Sequence, residues 1–458
     1  MELHIDSFNR LSLSIMEKDN CPPVQALQKL ESLSLNLICG ELIRTSMPLQ
    51  AALLTAVNTG KRAFLGGIYV RMPKDVKLLL TWPSAKSLNE IVKQLGGIVS
   101  DEVIEERFSL TFGLPSFIEE NRAQVVCNNW QAGVLINNEE TNFDPAGNIP
   151  TAGIYAGAFA VGLAFLKVSG INIAALDHSV GISLWRPDLN WTDEKAAGPT
   201  VSFLPKRYWL LGLGHLGQAY LWNIGLLPYS NAKDVTVLLQ DYDKLVAANW
   251  SAGLLSDMND AGNYKTRLCS EWLDRRGFNT IITERPFDEN TKRVGEEPFL
   301  ALCGFDSAAS RIPLENAGFD LIVEAGIGGR LGTFDMVALH TFPNSSRSPQ
   351  DIWGDNGRDV DEFSPAIFEL VEGMTNEACG IIPLTIASKA ISASFVGACS
   401  GALVTAEVLR GLNGGMRYEK INLQLRDIAS ASAVKHKEED YSSSLAKNGF
   451  VPANFRNE

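Results

Sequence analysis

Residues 207–241 restrict the possible folds more than any other part of the chain. RYWLLGLG (207–214) is an apolar run that breaks into glycines, and HLGQAYLWNIGLL (215–227) continues it with helical spacing. DVTVLLQD (234–241) is a second apolar run and ends on an acid. Gly212, Gly214 and Gly217 form a G-x-G-x-x-G frame, and Asp241 follows Gly217 by 24 positions. Two strands joined by a helix make a parallel crossover, which has to lie in a sheet covered by helices. In such a unit the first glycine allows a tight turn and the second admits a phosphate against the backbone. The third lets the helix pack on the strand. The helix start offers free amide N–H groups and a partial positive charge, and a strand-end acid accepts ribose hydroxyls.

The alternation continues downstream. NYKTRLCSEWLDRRG (263–277) has helical spacing and stops at Gly277, while NTIITERPF (279–287), FLALCGFD (299–306) and DLIVEAGIG (320–328) are short strands. This pattern predicts an α/β fold, a doubly wound and mostly parallel Rossmann-like domain. Residues 185–206 contain three prolines and no period, so they are expected to be a linker between halves of similar size. Each half closes with a helix rich in Gly and Ala, at 155–170 and 394–415, and then a strand-like segment, at 171–185 and 418–427. This similarity predicts an internal duplication. The expected boundaries are a first α/β domain over 1–184 without a glycine frame, a second over 207–430 and a tail over 431–458.

The 458 residues are 45% hydrophobic, carry a formal charge of -13 and include seven cysteines, none in a C-x-x-C pair. That charge makes nucleic acid and anionic membranes poor partners. No apolar run is expected to span a membrane, the N-terminus has no export pattern, and the odd cysteine count suits free thiols in a cytoplasmic protein.

The glycine turn and Asp241 suit NAD and adenosine nucleotides equally. The following run, DYDKLVAANWSAGLL (241–255) and GNYKTR (262–267), adds Asp243, Asn249 and Lys265, and ALCGFDSAASR (301–311) adds Asp306 at a strand end. A lysine at a helix start near a phosphate site neutralises a triphosphate, and a carboxylate on the same sheet edge can hold Mg²⁺. A dehydrogenase requires only the first acid. The set favours ATP with Mg²⁺, with Asp306 as the metal residue.

In this order the motifs resemble the ubiquitin-activating enzymes and their bacterial relatives ThiF and MoeB, over about residues 200–425. GLGHLGQAYLW, NWSAGLL and the CG…FVG run resemble the activating enzymes of bacterial ubiquitin-like conjugation operons, the Bil systems. The resemblance implies adenylation of the terminal glycine of a ubiquitin-like protein, thioester transfer to a cysteine, hand-over to a conjugating-type enzyme, and a role in antiphage defence. It implies an intramolecular pseudo-dimer in which the first half is an inactive adenylation-like domain. The family's cysteine falls close to Cys379, which follows the polar loop GMTNEA. Cys269, Cys303 and Cys399 lie on apolar positions and are expected in the core. The family takes a phosphate-binding arginine from the partner domain, and Arg10 is its candidate here. Two departures stand out. The arginine usual three positions after the asparagine is Ala252, and the zinc-binding C-x-x-C pairs of many bacterial relatives are absent. A sulfur-carrier adenylyltransferase of the ThiF/MoeB type, an NAD-dependent oxidoreductase and a non-catalytic nucleotide-binding scaffold remain open as alternatives.

Overall fold

The computed structural model describes residues 8–114, 121–136, 147, 149–344, 346–354, 390–437 and 442–454. After α1 (Ser12–Asp19) and α2 (Pro23–Ser32), the first half builds a sheet from β1 (Leu35–Cys39), β2 (Ile68–Arg71), β3 (Ile98–Val99), β4 (Ser109–Phe112), β5 (Arg122–Asn128), β6 (Gln131–Leu135) and β7 (Val180–Ser183). Its helices are α3 (Met47–Ala63), α4 (Leu88–Gln94) and α5 (Pro150–Val168). After β8 (Phe203–Pro205) the second sheet contains β9 (Arg207–Leu211), β10 (Thr236–Gln240), β11 (Asn279–Thr283), β12 (Leu300–Cys303), β13 (Leu321–Ile327), β14 (Met336–Phe342), β15 (Tyr418–Gln424) and β16 (Ser432–Lys435). Its helices are α6 (His215–Leu226), α7 (Lys265–Asp274), α8 (Pro349–Trp353) and α9 (Ser394–Leu412), with α10 (Ser442–Asn448) and β17 (Phe450–Pro452) closing the chain.

The strand orders are β3-β2-β1-β4-β5-β6-β7 and β11-β10-β9-β12-β13-β14-β15-β16. The first five strands of each sheet run parallel and the later ones antiparallel. Over seven strands the two sheets therefore share one topology, the second adding β16 at its edge, and the expected duplication is present in the fold. In both, the order reverses beside the first strand, where ligands of open α/β sheets bind.

Small residues bring the central helices together. A Cβ on Gly153 or Gly157 of α5 would overlap the carbonyl oxygens of Pro48 and Ala52 on α3. A Cβ on Gly401 of α9 would lie 2.7 Å from the Ala219 oxygen on α6. The pairs α3–α5 and α6–α9 then join the halves. Phe165 and Phe395 have ring centroids 5.9 Å apart, and Trp222 Nε1 donates to Thr55 Oγ1 at 2.9 Å. Burying a side chain of this size contributes about 1.5–3 kcal/mol, and this one core draws its residues from both halves.

Several expectations need correction. α5 and α9 are, by length and composition, apolar enough to cross a membrane, contrary to the reading that no run is; 89% of each window is buried inside the protein. Core helices that face protein all round carry the same composition as membrane spans. α5 begins at Pro150, and only 180–183 of the segment 171–185 is strand. The span 185–206, read as a linker, contains β8, which pairs with β17. The span 431–458, read as a tail, supplies β16, α10 and β17.

Candidate active site

The cleft lies at the carboxyl ends of the second sheet's parallel strands and has a volume of about 650 Å³, within the usual range for ligand sites. Its walls include Arg10, Gly212, Gly214, Asp241, Asp243, Asn249, Lys265 and Asp306. Of the expected site residues, Gly217 lies just behind this wall. Cys379 lies outside the described residues.

Each glycine has a distinct steric reason. Gly212 has φ +80°, and its N–H donates to the Gln240 carbonyl at 3.0 Å. A Cβ on Gly217 would overlap the Gly212 carbonyl oxygen, so strand and helix touch there. A Cβ on Gly214 would meet nothing within 4 Å. That open space adjoins the first turn of α6, where unpaired backbone N–H groups suit an anion.

Asp241 follows β10 and is buried. Its Oδ2 accepts the Leu213 N–H at 2.6 Å and its Oδ1 the Asp243 N–H at 2.8 Å, so it braces the glycine turn. Burial raises its carboxyl pKa, against the opposing charge of Lys265. Lys265 is the first residue of α7 and reaches 2.6 Å from Asp243 Oδ2 and 4.0 Å from Asp241 Oδ2. Asn249 Oδ1 accepts the Val246 N–H at 2.9 Å, leaving its amide group available to the cleft it lines. Asp306 stands three residues beyond β12 rather than at its end, and is exposed.

Arg10 comes from the first half. Its backbone N–H donates to Ser251 Oγ at 3.4 Å in the second half. Burial lowers its pKa while the charge of Asp306 raises it, so guanidinium and carboxylate face the same cleft. His215 also lines the cleft, 3.0 Å through Nδ1 from Ser392 Oγ. Burial, with Arg10 nearby, lowers its pKa to about 4, so it is neutral at pH 7.

Some contributors lacked any signal in the sequence. Arg311 Nη2 donates to the Phe305 carbonyl at 2.7 Å, next to Asp306, and its Nε is 2.7 Å from the buried Glu324. Gln218 Oε1 accepts the N–H groups of Leu255 at 3.0 Å and Ser256 at 3.1 Å. Arg62 of α3 grips the same loop from the other half. Nothing in their local spacing separates them from ordinary helix or loop residues.

Eight of the expected site residues share one cleft, and the chain's relatives decide the family. The BilD N-terminal domain family matches residues 34–184 and the BilD C-terminal domain family matches 204–415. A bacterial E1-like protein BilD from Collimonas sp. (strain OK412) is 36% identical over 401 residues, covering 86% of each chain. The chain belongs to the bacterial E1-like BilD family. Among solved structures, the crystal structure of E. coli MccB with SeMet MccA shares 13% identity at a TM-score of 0.33, covering 50% of this chain and 64% of that one. The E. coli tRNA N6-threonylcarbamoyladenosine dehydratase TcdA shares 14% identity at a TM-score of 0.29, covering 44% and 84%. The BilD matches fall on both halves of this chain, with the cleft in the C-terminal one.

The described residues contain no group of three or more metal-ligating side chains. One carboxylate is enough where phosphate oxygens and water complete a Mg²⁺ shell, and Asp306 meets that requirement. The open space at Gly214, with Arg10 and Lys265 beside it, fits a bound triphosphate. The described cysteines suit no nucleophilic role at the cleft. Cys39, Cys127, Cys269, Cys303 and Cys399 are buried with thiol pKa values raised by burial, and Cys21 is raised too.

Proposed function

We propose that this chain is a cytoplasmic enzyme that uses ATP to adenylate the C-terminal glycine carboxylate of a ubiquitin-like protein. It then carries the acyl group on Cys379 and passes it to a conjugating-type enzyme, in bacterial antiphage defence. One observation carries the reading: a single cleft gathers the ribose acid Asp241, the cations Arg10 and Lys265, the exposed acid Asp306 and the open glycine turn.

In the first step a carboxylate oxygen bonds to the α-phosphorus and pyrophosphate leaves. Mg²⁺ would neutralise phosphate charge, held on the protein side by Asp306. Asp241 orients the ribose. Lys265 moves from Asp243 to the phosphates, and Arg10 meets them from the other half, so positive charge is in place where negative charge develops. In the second step a thiolate attacks the acyl carbon and AMP leaves, carrying the bonding pair. Cys379 is assigned to this step by its position in the sequence, and the raised pKa values of the described cysteines favour it.

The test is ATP–pyrophosphate exchange in the presence of a ubiquitin-like protein ending in glycine, with a non-reducing gel for the adduct. Cys379→Ala should keep the exchange and lose the reductant-sensitive adduct. Loss of the adduct in Cys399→Ala and not in Cys379→Ala reassigns the thiol. Exchange with a sulfur-carrier protein and none with a conjugation-type partner favours the ThiF/MoeB alternative. Arg10→Ala with unchanged exchange removes Arg10 from the site.

A further inference from the structure

The loop from Asn249 to Ser256 walls the cleft through Asn249, Ala252 and Gly253, and its backbone is held from outside the second half. Arg62, on α3 of the first half, is only 2% exposed. Its Nε donates to the Trp250 carbonyl at 2.7 Å. Its Nη2 donates to those of Gly253 at 2.8 Å and Ser256 at 3.1 Å. Its Nη1 donates to the carbonyl and to Oδ1 of Asn58. A guanidinium has five N–H donors, and here five acceptors take them. Asn58, one turn earlier, donates to the Leu254 carbonyl at 3.0 Å. The carbonyl of Arg62 itself accepts from Asn9 Nδ2 at 2.8 Å. Asn9 precedes Arg10, whose N–H donates into the same loop at Ser251.

Burying a charge this completely is costly and is offset only where every donor meets an acceptor, as the five do here. The charge of Arg62 also acts inside the cleft, since it helps to lower the pKa of His215.

We propose that Arg62 is a positioning residue of the cleft, through which the first half sets the Asn249–Ser256 loop and the placement of Arg10. The proposal rests on the cleft binding ATP. Arg62 touches no ligand; it fixes the groups that do. A lysine here would keep the charge and lose the fork, because three donors on one nitrogen cannot span carbonyls this far apart along the loop.

The experiment is a calorimetric titration with Mg·ATP, which needs no partner protein. It compares wild type, Arg62→Lys and Arg62→Ala, with near-ultraviolet circular dichroism counting folded molecules. Arg62→Lys should bind about tenfold more weakly per folded molecule. In Arg62→Ala, guanidinium chloride at about 10 mM should restore affinity while methylammonium chloride should not, because only the planar fork can supply paired donors. Wild-type affinity in Arg62→Lys overturns the proposal. So does an Arg62→Ala variant whose whole loss equals its unfolded fraction, with no rescue. If Arg62→Ala fails to fold, Arg62→Lys alone decides. A wild type that binds no ATP removes the adenylation reading and this proposal together; a wild type that binds, beside an unaffected Arg62→Lys, removes this proposal alone.

Discussion

Over their first seven strands the two halves have the same strand order, and they differ around the glycine turn and at the acid that follows the second strand. In the first sheet Leu35 pairs with Ile68, and in the second Arg207 pairs with Thr236. Counting from those pairs puts Pro73 where the second half has Asp241. Gly40 corresponds to Gly212, but Glu41–Arg44 then form a 3₁₀ turn before α3, where the second half goes straight into α6. Leu42 stands where Gly214 leaves open space. The helix brace, in contrast, is kept. Gln50 and Gln218 are each the fourth residue of their helix and each accept backbone N–H groups from the loop beyond the next strand: Leu79 at 2.8 Å, and Leu255 at 3.0 Å. Strand order and brace belong to the fold, while the acids and the open turn belong to the chemistry. Two arginines of the first half reach into the second: Arg10 lines its cleft and Arg62 holds a loop of its wall.

This contrast can be broken in several ways. The largest expected effect is on Asp306→Ala, which should lower partner-dependent pyrophosphate exchange by about 10³-fold or more. Pro73→Asp in the first half should leave exchange within about twofold. Equal losses would mean that the first half also handles nucleotide. Gly217→Ala and Gly40→Ala should both destabilise by about 1–3 kcal/mol in urea titration, because each Cβ overlaps a backbone carbonyl. Gly214→Ala, with open space around its Cβ, should keep its stability and lose Mg·ATP affinity, which separates the fold role of a glycine from its ligand role. Lys265→Ala should lower exchange by about 10–10²-fold. Leu88, which begins α4 as Lys265 begins α7, should tolerate Met with no change in exchange.

The smallest expected effect depends on pH. His215 has a folded pKa of about 4, lowered by burial from 6.5, so protonation favours the unfolded chain. Its contribution to stability is whole above pH 6.5 and is lost as pH falls towards 4. At pH 5.5 the loss should be about 1.4 kcal/mol. Met47 begins α3 as His215 begins α6 and does not titrate. His215→Met should therefore flatten the fall in thermal midpoint between pH 6.5 and 5.5. An unchanged slope would show that His215 is solvated in the folded protein.

Much of this was legible in the sequence, for local reasons. A strand, a glycine turn and a helix announce themselves within about thirty residues, because the turn demands φ above zero at Gly212 and no side chain at Gly217. The ordered acids, asparagine and lysine followed from the chemistry of a triphosphate, and eight of the expected residues do line one cleft. The reading that no run is apolar enough to span a membrane missed α5 and α9, which are as apolar as spans and are buried by protein. The terminal segment was unreadable because β16 and β17 exist only through strands far away, β15 and β8. The sequence by itself determined the parallel fold, the duplication and the identity of the polar residues around the glycine turn. Only the tertiary structure decided that Arg10 faces Asp306, that Gln218 and Arg62 clamp one loop from two helices, and that the first half's helices complete the second half's core. Those contacts join residues far apart in the chain, 37 positions for Gln218 with Leu255, and 188 and 191 for Arg62 with Trp250 and Gly253; local spacing carries no trace of them, because the packing of the helices creates them.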